Sequence, residues 1–262
     1  MIDATMEQEA DAAYPTIEAI NASDLKEVLK AGVGDFMAMR TDVLFLALIY
    51  PVVMLAVARL AFGSGLLELV FPMATGLALL GPLVATGLYE ISRLRERGEF
   101  VSWRQSFSVF ASPRIWAVLT LGVGLLAIFV FWLAAAAAVY QAHYGDMEPP
   151  SLAWFFEEVL TTGNGWSLII IGHAVGAVFA GAVLAISAVS FPMIVDRNCT
   201  AVRAVLTSLK VFAANPVPMI LWGLIVAVLM MAGTLPLFVG LIVVMPVLGH
   251  ASWHLYRRTV TF

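Results

Sequence analysis

The sequence is poor in charge and almost free of cysteine. Only 12% of its 262 residues are charged, about half of the roughly 25% that is typical of a soluble domain. The single cysteine, Cys199, excludes an intrachain disulfide and a cysteine-based metal cluster. The sequence also has no phosphate-binding glycine loop, no nucleophile elbow and no pair of carboxylates within an apolar run. These absences argue against the common classes of soluble enzyme.

Long apolar runs make up most of the chain after residue 42, and 61% of all residues are hydrophobic. A helix needs about 20 consecutive apolar residues to cross a bilayer, and these runs are long enough to do so. We therefore predict an all-α fold, a polytopic transmembrane helical bundle with interfacial amphipathic helices and about six spans: 43–60, 66–91, 115–140, 166–195, 217–233 and 236–256. These spans form one membrane domain, residues 24–262.

The N-terminal segment, residues 1–23, is acidic. Residues 1–24 hold six acids and no base, a composition typical of a disordered, solvated tail. The segment lacks the basic and apolar regions of a signal peptide, so we expect the first span to serve as an uncleaved insertion signal.

Three amphipathic segments, 24–36, 102–112 and 200–214, each precede a pair of spans. The first begins with Asp24 and Glu27 and the second with Ser102 and Gln105, spacings that match a capping box. Each is interpreted as a helix on the inner membrane surface or, equally, as a helix packed on the protein. Their recurrence raises the hypothesis of a threefold repeat.

The loop between the third and fourth spans contains the clearest amphipathic signal. Ser151 is a predicted helix cap, and an apolar stripe that includes Phe155 follows it. This helix, which also contains Trp154 and Phe156, is expected to dock flat on the outer leaflet, because aromatic side chains are enriched at membrane interfaces. A lid over the bundle is the alternative.

Small residues and prolines mark the spans. Intervals of four in span four predict close helix packing at Gly172, Gly176, Ala180 and, in the adjacent row, Gly181. Prolines fall in or beside the spans at Pro51, Pro72, Pro82, Pro192 and Pro246. Such prolines are compatible with the broken helices of a transporter and with ordinary kinks.

The basic residues indicate the orientation. With six spans, thirteen of the 14 lysines and arginines lie on the side of the two termini, and only Arg59 lies on the other. The positive-inside rule makes the rich side cytoplasmic. The densest inner basic loop, between spans two and three, contains Arg93, Arg95, Arg97 and Arg104.

The intramembrane histidines are the candidate site. His250 and His254 lie four residues apart, on one face near the inner end of span six, whereas His173 lies near the outer end of span four. Imidazoles can hold a metal or a haem iron. The alternative is that each imidazole bonds a neighbouring helix.

The C-terminal sequence from Pro246 to Arg257, PVLGHASWHLYR, is similar to that of a known family. Together with 25–36 and 89–103, it resembles an uncharacterised bacterial family of predicted integral membrane proteins, some of which carry an automatic name as cytochrome c oxidase subunit I. Oxidase core subunits have more spans and more ligand histidines than this chain. The resemblance therefore implies a compartment and a topology.

We expect a multi-pass protein of a bacterial inner membrane with a non-enzymatic role, as an accessory, assembly or small-solute transport component. The alternative is a haem- or metal-binding redox protein that uses His250, His254 and His173. No cofactor is expected in the first case, and haem or a metal ion in the second. The expected partners are the lipid bilayer and other membrane proteins or further copies of the chain, with no nucleic acid.

The predicted orientation has a direct test. A reporter fused after Arg258 should be active in the cytoplasm, and a reporter inserted at Pro149-Pro150 should be active in the periplasm. The location of each site is measured with two reporters, one active only in the cytoplasm and one active only in the periplasm. The reverse pattern at the two sites would refute the topology.

Overall fold

The structure, a computed structural model, describes residues 15–47, 69–99, 101–236 and 238–262, together with residues 52, 56 and 59. The elements of its first half are β1 (Thr16–Ile17), α1 (Ala22–Ala47), α2 (Val70–Leu79), α3 (Gly81–Val84), α4 (Thr86–Glu96) and a 3-10 helix (Trp103–Ala111). The second half contains α5 (Ile115–Tyr144), α6 (Leu152–Thr161), α7 (Gly163–Ser187), α8 (Ser190–Arg197), α9 (Ala201–Ala214), α10 (Pro216–Thr234), α11 (Leu241–Thr259) and β2 (Val260–Thr261). The predicted helical class is confirmed.

Three stretches of helix in the described residues are long and apolar enough to cross a membrane: Ile115–Tyr144, Gly163–Arg197 and Pro216–Thr234. They correspond to the predicted spans three, four and five. The first predicted span, 43–60, lies mostly outside the described residues. The sixth coincides with α11, a continuous helix that contains Pro246 and is buried along much of its length. A helical membrane bundle fits, and the count of six spans is not confirmed.

The described part of the second predicted span, 70–91, is divided into the helices α2, α3 and α4. The turns at Leu80 and Ala85, on either side of the short helix α3, keep right-handed helical dihedral angles. Pro82 lies in that helix and has no amide hydrogen to continue the helical bonding. The hydroxyl of Thr86 bonds to the carbonyl oxygen of Leu83 at 2.6 Å. Such hydroxyls are one way in which membrane helices tolerate an interruption.

One end of the molecule is a polar region that we call the basic cap, composed of residues 15–36, 90–114, 195–215 and 250–262. The predicted inner loops meet here, because α1 packs along α11 and α4 packs against both α8 and α11. Arg258 on α11 pairs with Asp24 at the start of α1 and, at 3.0 Å, with Glu27. The basic loops that the charge pattern placed on one side therefore lie together.

Part of the predicted disordered tail is folded into the basic cap. Strand β1 pairs antiparallel with β2, with Thr16 opposite Thr261. The backbone amide of Ile20 donates to Asn215 Oδ1 at 2.8 Å. Residues 16–18 thus gain backbone partners near the C terminus, and Ile20 gains a side-chain partner at Asn215, which composition does not reveal. Residues 1–14 lie outside the described residues.

The first amphipathic helix begins three residues before the predicted cap. Asn21 Oδ1 accepts from the amide of Ser23 at 2.8 Å, and the amide of Asn21 donates to Asp24 Oδ2 at 2.8 Å. Asn21 is therefore the N-cap and Asp24 the acid of a capping box, while Glu27 is free to bind Arg258. The predicted capping residues Ser102 and Ser151 are confirmed, although Ser102 caps a 3-10 helix.

The amphipathic segments bury opposite faces, so they are not equivalent repeats. The apolar stripe of α1, including Leu25 and Val28, is buried, and α1 packs along α11. In α9 the buried face is Ala204, Thr207, Ser208 and Val211, whereas the apolar residues Val202 and Leu206 are 68% and 54% exposed. The hydroxyl of Ser208 accepts from the amide of Val189 at 3.3 Å, in the break between α7 and α8.

Among the described residues, the small residues of span four do not form the predicted backbone contact. A Cβ added at Gly172 or Gly181 would meet no described atom within 4 Å, and Ala180 is exposed. At Gly176 it would meet the Trp132 ring, at 3.2 Å. This row therefore faces outward except where an aromatic ring covers it.

The helix predicted in the outer loop is present as α6. Phe156 is 55% exposed, and Trp154 and Phe155 are half-buried. The Phe155 ring lies 6.2 Å from the ring of Tyr140 on α5. Docking of α6 on the outer leaflet stays a prediction.

The contact between α1 and α11 leads to a matched pair of substitutions. A Cβ at Gly32 would lie 2.6 Å from the backbone nitrogen of Ala251, whereas a Cβ at Gly34 would meet nothing within 4 Å. We expect Gly32→Ala to destabilise the protein by about 1–3 kcal/mol through overpacking. We expect Gly34→Ala to be neutral or to stabilise it by up to about 1 kcal/mol, because alanine favours the helix.

The buried thiol of Cys199 provides the measurement. Its reaction with a fluorogenic maleimide on heating reports unfolding of the detergent-purified protein. Equal unfolding midpoints for Gly32→Ala and Gly34→Ala would contradict the close contact.

Candidate functional site in the basic cap

A chain of four polar side chains crosses the interior of the basic cap. His254 Nε2 lies 2.9 Å from Asp35 Oδ2. The Ser92 hydroxyl donates to the same Asp35 oxygen at 2.8 Å, and Ser92 Oγ lies 2.7 Å from His250 Nδ1. The chain links α1, α4 and α11, and Asp35, Ser92 and His250 are all buried. The two histidines of α11 are thus joined through Asp35 and Ser92 and not through a shared metal position.

Two close helix contacts bring these groups together. Helix α1 approaches α11 where Gly32 lies against the backbone of Ala251, and Asp35 follows Gly32 by one turn. Helix α4 approaches α11 where Leu88 fills the space beside Gly249, and Ser92 follows Leu88 by one turn. Larger residues at either glycine would separate the helices. The hydrogen-bonded chain from His254 to His250 therefore depends on glycine, which has no side chain, at Gly32 and Gly249.

The hydrogen bonds indicate the tautomer of His250. The Ser92 hydroxyl has one proton, which it donates to Asp35. Ser92 Oγ must then accept from His250, so the ring proton is on Nδ1 and Nε2 has a free lone pair. This Nε2 atom has no hydrogen-bond partner in the part of the chain that the structure describes, and His250 is 0% exposed. A buried polar atom without a partner is unusual in proteins and needs an explanation.

Asp35 is the anionic centre of the chain. Burial raises the pKa of its carboxyl, but hydrogen bonds from His254 and Ser92 lower it more, and the net effect is a pKa below the usual value of 3.8. The Nε atom of Arg95 lies 3.3 Å from Asp35 Oδ1. Asp35 is therefore ionised at neutral pH and is held by donors from two other helices.

A second buried cluster joins α4 to the segment that follows it. Glu90, 3% exposed, pairs with Arg93 and, at 3.5 Å, with Arg114. The Ser108 hydroxyl donates to Glu90 Oε1 at 3.2 Å. The hydrogen bonds to Glu90 raise the pKa of Arg93, and burial opposes this. The cluster fixes the start of α5 relative to α4.

A third cluster involves the C-terminal signature. Trp253 Nε1 donates to Glu96 Oε2 at 3.0 Å, and Arg257 Nε donates to the other oxygen of Glu96 at 3.0 Å. The Tyr256 hydroxyl donates to Asp196 Oδ2 at 2.7 Å. The polar residues of this signature therefore bond to α4 and to α8.

The structure brings together only two of the three candidate histidines. His173 lies on α7, is exposed, and places Nδ1 2.7 Å from the carbonyl oxygen of Ile169. Its ring centre is 5.7 Å from that of Phe71. Of the four arginines in the predicted inner loop, Arg93 and Arg95 reach Glu90 and Asp35, whereas Arg97 and Arg104 are exposed.

Sequence reasoning missed Asp35 and Ser92. Asp35 follows Val28 by seven residues and Gly32 by three, which places it on the buried stripe of α1. An acid on an otherwise apolar face was the signal that could have found it. Ser92 has no comparable signal, because serines are common at all positions of such helices.

Comparison with known proteins supports the membrane assignment. Residues 70–196 match the sequence model of a family described as "Predicted integral membrane protein (DUF2189)". The resemblance to an uncharacterised family of membrane proteins is confirmed, and the description names no oxidase. The matched residues include Ser92 and Glu90 but neither α1 nor α11. No curated protein and no solved structure matches the chain.

The lowered pKa of Asp35 has a consequence for stability. A carboxyl whose pKa is lower in the folded state stabilises the protein above its unfolded pKa, and this contribution is lost as the pH falls through the folded pKa. We expect Asp35→Asn to be less stable than wild type at pH 7, by about 1.5–3 kcal/mol for lost charged hydrogen bonds. The difference should shrink as the pH falls below about 4.

Thermal unfolding followed by circular dichroism between pH 7 and pH 3 measures this difference. Asp146→Asn is the control, since Asp146 is exposed and bonds only to Gln141 among the described residues. A gap between wild type and Asp35→Asn that stays constant over the whole range would contradict the assignment.

Proposed function

We propose that this integral membrane protein is a non-enzymatic small-solute transport component. The observation that carries the proposal is the buried Nε2 atom of His250, which has no hydrogen-bond partner among the described residues. A hydrogen-bond acceptor in such a position suits a solute that donates an N–H or O–H group. An accessory or assembly role belongs to the same non-enzymatic class but does not account for the buried Nε2 atom of His250.

The arrangement around Ser92 supports a non-enzymatic role. In a nucleophilic site the base stands between the nucleophile and the carboxylate that orients it. Here the hydroxyl stands between Asp35 and His250 and is 1% exposed.

The interruptions of the helices support transport. Transporters commonly bind substrate where spanning helices are discontinuous. The described part of the chain has breaks between α2 and α4 and between α7 and α8, and the inner pieces α4 and α8 pack together. His250 faces α4 through Ser92, and Pro246 precedes His250 by one turn. His250 therefore lies beside α4, the inner piece of one of these helices.

A haem- or metal-binding redox role is the second candidate, favoured by one feature of His250. Histidine ligands commonly donate the other ring N–H to a neighbouring group, as His250 Nδ1 does to Ser92. Against it, the described residues contain no group of three His, Cys, Asp or Glu side chains able to hold a metal. Close packing of Leu88 and Gly249 beside His250 also leaves no room for a macrocycle without separation of α4 from α11.

The proposed setting is the inner membrane of a bacterium with both termini in the cytoplasm. Its support is the distribution of basic residues, together with their position in the basic cap around Asp24, Asp35 and Glu96. Large apolar side chains on α5 and α7 are exposed, including Phe131 at 67% and Val178 at 71%. These faces suit contact with lipid, with other membrane proteins or with further copies of the chain.

The transport role is tested with proteoliposomes and a panel of small hydrogen-bond donors: urea, glycerol, methylamine and formamide. Stopped-flow light scattering measures the permeation rate of each solute. We expect at least one rate to exceed that of protein-free liposomes. The excess should fall about tenfold in His250→Leu, because one hydrogen bond from the solute is lost. His250→Gln, which retains an acceptor, should keep part of it.

His173→Leu is the matched control, because it removes an imidazole that is exposed on α7. Rates equal to those of protein-free liposomes for the whole panel would refute transport of this solute class. An oxidised and reduced optical spectrum with metal analysis tests the second candidate. A Soret band, or a stoichiometric metal that is lost in His250→Ala, would establish the redox role instead.

A further inference from the structure

A cavity of about 270 Å³ opens on the basic cap and is lined by Arg93, Glu96, Arg97, Asp196, Arg197, Trp253 and Arg257. Its lining has four guanidinium groups and two carboxylates, and one of the four guanidinium groups, that of Arg93, is paired with Glu90 outside the lining. It is separate from the His250 chain, and the proposed transport role does not use it.

The two carboxylates of the cavity are already engaged by the protein. Glu96 accepts from Trp253 and Arg257, and Asp196 accepts from Tyr256 at 2.7 Å. These bonds hold the carboxylates against α11. They orient Arg257 and leave the excess positive charge on the remaining guanidinium groups.

Arg97 supplies that excess charge at the rim. It is exposed, and it forms no hydrogen bond or ion pair with the part of the chain that the structure describes. Arg97 follows the end of α4, and the left-handed turn at Gly98 redirects the chain after it. Its guanidinium therefore keeps five N–H donors for a ligand.

Arg197 lies on the same cavity and is held in a fixed position. Its guanidinium carbon lies 4.0 Å from the centre of the Phe262 ring, and its Nε lies 3.2 Å from Asp196. A planar guanidinium that is stacked and ion-paired loses little freedom when it binds an anion. Arg197 is thus a preorganised cationic fork on the same cavity as the exposed Arg97.

We propose that this cavity is a binding site for a phosphate monoester dianion. The guanidinium fork matches two oxygens of a phosphate, and the unpaired Arg97 adds a positive charge to the fork of Arg197. The phosphate could belong to a soluble compound or to the headgroup of an anionic lipid, since basic pockets beside membrane helices bind such headgroups. The recognising chemistry is the same in both cases.

The test uses the full chain in dodecyl maltoside at pH 7.5, with the midpoint of thermal unfolding as the measurement. A ligand that binds the folded state raises this midpoint in a saturable way. Inorganic phosphate is compared with chloride at equal ionic strength, and dioctanoyl phosphatidic acid is compared with dioctanoyl phosphatidylcholine. A specific rise with inorganic phosphate supports a soluble ligand, and a rise with phosphatidic acid alone supports a lipid headgroup.

The variants identify the site. Arg97→Gln should weaken the apparent affinity by about tenfold or more, because a charged hydrogen-bonding group is lost. Arg97→Lys keeps the charge without the fork and should have a smaller effect. Lys210→Gln removes an exposed charge outside the cavity lining, and His250→Leu alters the proposed transport site; both should leave the affinity unchanged. No specific rise with either ligand, or an undiminished rise in Arg97→Gln, would overturn the proposal.

Discussion

The close approach of α1 to α11 is the constraint on which the basic cap depends. It requires Gly32, because any side chain there would overlap the backbone of Ala251. At that distance Asp35 reaches His254, and the start of α1 reaches Arg258. A wider separation would leave the carboxylate of Asp35 buried without donors, which costs several kcal/mol in a low-dielectric environment. The absence of a Cβ at Gly32 thus determines whether the charges of this region stabilise or destabilise the fold.

The charged side chains in the basic cap connect elements that are distant in the sequence. Glu90 holds Arg93 and Arg114, and Glu96 holds Arg257. A buried ion pair adds little net stability, because desolvation offsets most of the attraction, but the loss of one partner is costly. These pairs therefore act mainly by specifying which helix ends lie together. The result is a polar end whose geometry is well defined beneath a set of helices that present apolar surfaces.

The membrane-facing half follows a different rule, since its surroundings are as apolar as its interior. Helix α9, although part of the basic cap, also turns apolar side chains outward: Val202 and Leu206 are exposed, while the Ser208 hydroxyl faces inward and accepts from the backbone amide of Val189 before α8. At the start of helix α4, the hydroxyl of Thr86 likewise donates to a backbone carbonyl oxygen, that of Leu83, just after Pro82. Polar atoms gather where helices are interrupted, and the free nitrogen of His250 lies at the inner end of this region.

The sequence by itself determined the helical class, the membrane location and the gathering of basic loops at one end, because these depend on local composition and hydrophobic length. It also determined the caps at Ser102 and Ser151, which need only residues three positions apart. Only the tertiary structure decided which face of α1 and of α9 is buried, because amphipathic spacing gives a direction without a partner. It likewise joined Ser92 to Asp35 and His250, across 57 and 158 positions. No local pattern encodes such contacts, since they arise from the packing of three helices at two glycines.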